Sequence, residues 1–103
     1  MTNFKVVYSD VAIDDLHALS HYIIENCKAP ITSREYAKGI VTTINSLSYL
    51  ADSLPLFRRK SFAKYGFNVR RINYKKMAII YSIHGKVVLI QRIIPGALII
   101  EME

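Results

Sequence analysis

The sequence has one cysteine, four glycines and three prolines in 103 residues, and its second half is almost without acid. With Cys27 as the single thiol, no internal disulfide can form, and every zinc pattern built on cysteine pairs is excluded. One unpaired thiol in a basic chain fits a reducing compartment, and the expected location is the cytoplasm. Four glycines are too few for classes built on glycine-rich loops, and there is no G-x-S-x-G, phosphate-binding loop or nucleotide fingerprint. No uncharged apolar run approaches the ~20 residues that cross a bilayer, and the longest candidate is broken by Pro95-Gly96. The first residues include Lys5 and Asp10 and carry no small-residue cleavage site, so they do not read as a secretory signal.

What is present is enough apolar material, 51% of residues, for one core. A chain of this length buries roughly 60–70% of its unfolded surface. The expectation is therefore a single domain over residues 1–103 that folds without a metal or a disulfide. Its net charge of +6 is unevenly distributed. Residues 1–52 hold four Lys or Arg against six Asp or Glu, a net −2, whereas residues 53–103 hold ten against two, a net +8. Ten cations with few acidic neighbours repel one another, and that pattern points to an anionic partner, either nucleic acid or an acidic protein segment.

Periodicity gives the elements. Asn3 to Tyr8 is short, β-branched and aromatic, and runs into Ser9-Asp10, which can cap a helix. Ala12, Leu16, Leu19 and Ile23 then form one apolar stripe opposite Asp14, His17, His21 and Glu25, which predicts a helix over about residues 10–26. Pro30 breaks it. Thr32-x-x-Glu35 has capping-box spacing, and Ala37, Ile40, Ile44, Leu47 and Ala51 predict a second helix from there to about residue 51. Residues 67–73, 76–83 and 86–94 read as strands, with Asn73–Lys76 joining the first two and His84-Gly85 as a tight turn between the last two. The expected class is α+β in the order β-α-α-β-β-β, an antiparallel helical hairpin packed on a small twisted antiparallel sheet.

Several candidate sites follow from side-chain chemistry. His17 and His21 share a helix face at metal-chelating spacing, but the Glu of H-E-x-x-H is missing, so the stripe reads as solvated and no metal site or cofactor is expected. Cys27 falls at a helix C-terminus, where the dipole disfavours a thiolate; it reads as a buried or half-buried structural thiol. No pair of carboxylates converges on one cleft. The basic cluster remains: Arg58, Arg59, Lys60, Lys64, Arg70, Arg71, Lys75, Lys76 and Arg92. Alternation puts Val69 and Arg71 on one face and Arg70 and Ile72 on the other, and groups Arg92 with Val88, Ile90 and Ile94. Arg92 in that apolar row is either internally paired or functional.

These residues carry a resemblance. The element order, with Ser9-x-x-Ala12-x-x-Asp15-Leu16, Arg71-Ile72, Ala78-Ile79-Ile80-Tyr81 and Val87-x-Leu89-Ile90-x-Arg92-Ile93-x-x-Gly96-Ala97, resembles the ParE/RelE superfamily of toxins from type II toxin–antitoxin systems over nearly the whole chain. The resemblance implies a small basic plasmid-stabilisation toxin that arrests growth until an acidic, ParD-like antitoxin wraps and neutralises it in a hetero-oligomer. Members similar to RelE cleave mRNA on the ribosome; members similar to ParE inhibit DNA gyrase and are not known as nucleases.

RNA cleavage needs a group to take the 2′-hydroxyl proton and an acid for the leaving oxygen, besides cations. The second half has the cations but little else. The RelE-like nucleases usually place an Arg three residues before the tyrosine matching Tyr81, where this chain has Ala78, and a basic or His-containing segment where it has Pro95-Gly96-Ala97-Leu98. The ParE-like branch is therefore favoured, with no catalytic residue of its own. Arg58, Arg59, Arg70, Arg71, Lys75, Lys76 and Arg92 are its expected target and antitoxin contacts, and segment 95–103 a second target contact. Many ParE-like chains read His-Gly-Ala-Arg at residues 95–98, so Pro95 and Leu98 imply an altered contact or a weakened toxin. The alternative, an endoribonuclease, would use Lys60, Lys64, Arg71, Tyr81 and His84. A third reading, a non-enzymatic nucleic-acid-binding protein, is disfavoured because neither helix is basic enough to enter a groove.

Overall fold

The computed structural model describes residues 3–101, with the side chains of residues 100 and 101 not included in the description. Strand β1 (Lys5–Tyr8) leads into helix α1 (Asp10–Cys27), then α2 (Pro30–Asn45) and a short α3 (Leu47–Leu50). Strands β2 (Val69–Tyr74), β3 (Met77–His84) and β4 (Val87–Pro95) follow, and α4 (Gly96–Glu101) closes the described chain. Tight 3-10 turns lie at Ala51–Ser53 and Lys60–Tyr65.

Ser9 caps α1 by accepting the Ala12 N–H at 3.0 Å. Its apolar stripe faces inward, while Asp14, His17, His21 and Glu25 are exposed as the periodicity requires. Helix α2 begins earlier than the expected capping box: Pro30 occupies the first turn, and Thr32 and Glu35 lie exposed within the helix. Proline lacks an N–H where none is needed and pre-sets the helical φ, so it starts the helix two residues ahead of Thr32. The second helix is also divided. The Ser46 hydroxyl donates to the Thr43 carbonyl and competes with the helical ladder there, so α2 ends and α3 resumes with Leu47 inward. Ser33 is buried and donates to the Ser20 carbonyl at 3.2 Å, tying the two helices together.

The sheet order is β1-β4-β3-β2. The α+β class and the element order hold, but the sheet is mixed: β2, β3 and β4 are antiparallel, and β1 lies parallel to β4 along Lys5–Tyr8. After α1 and α2 the chain re-enters the sheet at β2 on the far edge, and the two antiparallel hairpins β2–β3 and β3–β4 then bring β4 back beside β1 in the same direction.

β3 is central and buried along seven of its eight residues, which explains the unbroken apolar run Met77–Ile83. On one face Ile79, Tyr81, Val88, Ile90 and Ile93 pack against Ala12, Ile40, Ile44, Leu47 and Ala51 of the helices. On the other, Val69, Ala78, Ile80 and Ile94 pack against Phe62 and Ile99. Strand alternation alone leaves that second face open. The 3-10 turn and α4, neither of which has a helical repeat long enough to read in sequence, cover part of it.

Candidate functional site

The bulge in β4 decides where the arginines go. Tyr81 pairs with Ile90 and Ile80 with Arg92, so Gln91 is an extra residue and the face alternation reverses after it. Arg92 therefore does not share a face with Val88 and Ile90, contrary to simple alternation. β1 ends opposite Ile90, leaving this stretch of β4 edge without a neighbouring strand. Helix α1 takes the strand's place. The Ser9 hydroxyl donates to the Gln91 carbonyl at 3.1 Å. Asp15 Oδ2 accepts the Ile93 N–H at 2.9 Å and the Arg92 Nε–H at 2.8 Å, and Oδ1 accepts from the same guanidinium at 3.1 Å. These hydrogen bonds to Asp15 hold the Arg92 pKa above its ordinary value against partial burial, with Tyr65 adding a smaller share. Arg92 is the internally paired arginine.

Arg70 is also engaged. Its guanidinium donates to the Asp52 carbonyl at 3.1 Å, to the Leu54 carbonyl, and to Asn68 Oδ1 at 3.1 Å. It binds the chain after α3 to the edge of β2, where Leu56 bridges Arg70 and the Phe57 N–H donates to the Val69 carbonyl at 2.7 Å.

That edge contact projects the remaining basic residues together. Phe57, Phe62 and Tyr65 form a row with ring centroids 5.8 and 6.2 Å apart. Arg59 lies 5.9 Å and Arg71 5.5 Å from the Phe57 centroid, and Lys64 lies 5.4 Å from that of Tyr65. Arg71 also donates to Asn73 Oδ1 at 2.7 Å. A cavity of about 520 Å³ opens here, lined by Phe57, Phe62, Ala63, Gly66 and Phe67, with Arg58, Arg59 and Lys60 at its border. Phe67 is 84% exposed. Sequence reasoning passed over it as a strand residue; the signal was an aromatic directly after Gly66, whose φ of 102° turns the chain outward.

Lys75 and Lys76 form the two-residue turn between β2 and β3. Lys75 has the left-handed φ of 53° that glycine adopts more readily, and its ammonium lies 5.5 Å from both the Tyr36 and Tyr74 rings. It sits on the helical side, apart from the Phe57 cluster.

The five residues of the ribonuclease alternative are not brought together. Lys60, Lys64 and Arg71 border the aromatic row, but Tyr81 points to the opposite face of the sheet, is fully buried, and donates to the Ala51 carbonyl at 2.7 Å. Burial pushes its pKa up to about 12, with Asp52 adding to the rise and Arg70 opposing it. His84 ends β3, with Nε2 2.7 Å from the Ser82 hydroxyl, which accepts from Gln91 at 3.0 Å. It stands roughly 13 Å along the strand from the residue opposite Arg71. Cys27 is exposed at the end of α1, which corrects the expected burial: that helix buries the face carrying Ile23, not Cys27. No group of three His, Cys, Asp or Glu able to hold a metal occurs among the described residues. No helix among them is long and apolar enough to cross a membrane.

Over residues 6–98 the chain matches the family described as the ParE toxin of the type II toxin–antitoxin system parDE. It belongs to that family. Two solved structures share the fold. The chromosomal ParDE toxin–antitoxin system from P. aeruginosa aligns with a TM-score of 0.69 at 20% identity, covering 89% of this chain and 95% of that one. The toxin–antitoxin complex RelBE2 from Mycobacterium tuberculosis aligns with a TM-score of 0.55 at 18% identity, covering 91% and 99%. No curated protein matches the sequence. In this ParE-family toxin Pro95 ends β4 and Gly96 opens α4, with the Gly96 N–H donating to the Lys76 carbonyl at 2.8 Å. A Cβ on Gly96 would come within 3.0 Å of the Arg71 guanidinium, so the small residue lets Arg71 lie across the start of the helix. Leu98 is exposed and Ile99 is buried. Of the expected contact segment 95–103, residues 102 and 103 lie outside the described residues.

Proposed function

We propose that this ParE-family toxin arrests growth by binding and inhibiting DNA gyrase, has no catalytic residue of its own, and is held inactive by an acidic, ParD-like antitoxin, so that loss of a plasmid carrying the pair is penalised. The observation that carries the reading is the position of Tyr81. The one tyrosine that the ribonuclease alternative needs is sealed on the helical face, bonded to the Ala51 carbonyl, with its proton held up to about pH 12. Ala78, where an RNA-cleaving relative would offer a second arginine, is fully buried. Cations without a proton-transfer partner support docking rather than cleavage.

The proposed contacts are Arg58, Arg59 and Arg71 beside the aromatic row and, separately on the helical side, Lys75 with Lys76 at the β2–β3 turn. Arg70 and Arg92 are not among them, because their guanidiniums are already bonded inward. The names of the two similar structures, a ParDE system and a RelBE2 complex, support an antitoxin partner.

The test is a gyrase supercoiling reaction with purified toxin. Relaxed and linearised plasmid should accumulate, and primer extension on a translated mRNA should show no new ends. Unaffected supercoiling at saturating toxin overturns the gyrase reading; new message ends during growth arrest would move the toxin to the RelE-like class.

A further inference from the structure

We infer that the cavity beside Phe67 is an anchor pocket: it receives one bulky apolar side chain from an extended acidic segment of the antitoxin, whose neighbouring carboxylates pair with Arg58 and Lys60. The inference rests on the reading that an acidic antitoxin holds this toxin, and adds the place and the chemistry of one contact.

Three observations converge on it. The first is the lining. Five of the eight residues are Phe57, Phe62, Ala63, Gly66 and Phe67, and their cavity of about 520 Å³ has room for a large side chain together with part of its backbone. The second is the exposure of Phe67 at 84%, which leaves nearly a whole aromatic ring in water beside an apolar hollow. A ring so placed buries little area in the fold, whereas covering it would remove apolar area from water at about 25 cal/mol per Å². The third is charge. Arg58 and Lys60 line the cavity, are exposed, and make no ion pair among the described residues, so an apolar group held there lies beside cations. Carboxylates on either side of that group satisfy both features together, with the apolar contact setting the lifetime of the complex and the charges its rate of formation.

A single-stranded nucleic acid would also offer flat rings and negative charge. The geometry favours the peptide. Stacking successive bases needs a series of open aromatic faces, and here only Phe67 is open: Phe62 is 2% exposed, and Phe57 carries the Arg59 and Arg71 guanidiniums. One open ring over one hollow suits one anchor.

The experiment uses the full chain, its Phe67→Ala variant and an Arg58→Glu, Lys60→Glu double variant. The exposure of all three positions means that the substitutions leave the core intact, which circular dichroism and thermal melts would verify. Two labelled twelve-residue peptides of Asp, Glu and Ser serve as probes, one with a central Phe and one with a central Ala, beside a twelve-nucleotide oligouridylate; binding is read by fluorescence anisotropy. The Phe peptide should bind at least tenfold more tightly than the Ala peptide. Phe67→Ala should abolish that preference, and the charge reversal should weaken both peptides at least tenfold. Equal affinity for the two peptides, or a preference that survives Phe67→Ala, overturns the inference. Tighter binding of oligouridylate that is lost with Phe67→Ala overturns it in favour of nucleic acid. A further arm uses the purified acidic antitoxin that the proposed function calls for, sought as the product of a small reading frame beside this gene. A complex whose dissociation rate rises at least tenfold with Phe67→Ala supports the anchor; a complex indifferent to the substitution overturns the anchor alone, and no complex at all overturns the antitoxin reading beneath it.

Discussion

At the bulged edge of β4, two backbone groups left without a neighbouring strand meet α1 or its cap: the Gln91 carbonyl accepts from Ser9, and the Ile93 N–H donates to Asp15, which also holds the Arg92 guanidinium. In the cleft between Phe57 and Phe67 the arrangement is reversed. There Arg59, Lys64 and Arg71 lie over rings, Arg71 also bonding the neutral Asn73 oxygen, Arg58 and Lys60 are exposed, and a hollow is left beside an uncovered phenyl group. Both regions carry arginine, Arg92 in the first and Arg58, Arg59 and Arg71 in the second, and residue type alone does not separate their roles. What separates them is a carboxylate: Arg92 is paired with Asp15, whereas Arg71 rests on the Phe57 ring with the neutral Asn73 oxygen as its acceptor, and Arg58 makes no ion pair among the described residues. An arginine paired with a carboxylate at the sheet edge is used to close the fold, while Arg58, exposed at an aromatic surface, keeps its charge uncompensated among the described residues.

The widest test of that contrast is Asp15→Ala. It removes one carboxylate and leaves both the Ile93 N–H and the half-buried Arg92 without their acceptor, so a loss of about 2–4 kcal/mol is expected. In a domain of this size that lowers the melting temperature by roughly 10–20 °C. Arg58→Ala in the cleft should change stability by no more than about 0.5 kcal/mol. Thermal melts of the two variants measure the contrast directly. Equal losses would break it, and Asp15→Asn, which keeps an oxygen for the Ile93 N–H but gives up the charge, should fall between them.

The residues that made this region recognisable also show where sequence reading stops. The spacing Ser9-x-x-Ala12-x-x-Asp15 was legible as part of a family pattern, and Ala12 as core, but the bond from Asp15 to Arg92 spans 77 positions and depends on a bulge that no local signal marks. Without the bulge, alternation assigns Arg92 to the wrong face. The helices were legible because Ile40, Ile44, Leu47 and Ala51 repeat at helical period over several turns, even though Ser46 interrupts the backbone between them. The cleft was legible only as charge. Its shape comes from a 3-10 turn and from a loop held on β2 by the Phe57 N–H, and short irregular elements leave no repeat to detect.

Tyr81 extends the contrast to pH. Its hydroxyl belongs with the inward-bonded groups, and its folded pKa of about 12 stands above the unfolded value of 10. The folded state therefore holds this proton more tightly, so the stability it contributes is complete below pH 10 and is lost as pH rises from 10 towards 12. The loss amounts to at most about 3 kcal/mol. Denaturant unfolding of wild type should show this decline superimposed on that of other groups. Tyr81→Phe should show a shallower decline and, at neutral pH, a loss of about 1–3 kcal/mol from the unpaired Ala51 carbonyl. Identical slopes for the two proteins would mean that the hydroxyl is not sealed, and would weaken the exclusion of Tyr81 from chemistry.

The smallest expected effect concerns Lys75, a cation of the outward kind on the helical side. Tyr74 can lie against α2 only because residue 39 has no side chain: a Cβ there would run into the Tyr74 hydroxyl. Gly39→Ala gains about 1 kcal/mol of helix propensity and loses a comparable amount as the Tyr74 ring leaves its edge contact with Tyr36, 5.2 Å away. Net stability should therefore change by less than about 1 kcal/mol. The displaced ring no longer supports the Lys75 ammonium, so the informative readout is association with an acidic antitoxin, whose rate should fall severalfold while the melting temperature stays nearly constant. A change in stability with no change in rate would assign Lys75 to the fold, with Arg70 and Arg92, and move the boundary between the two kinds of cation.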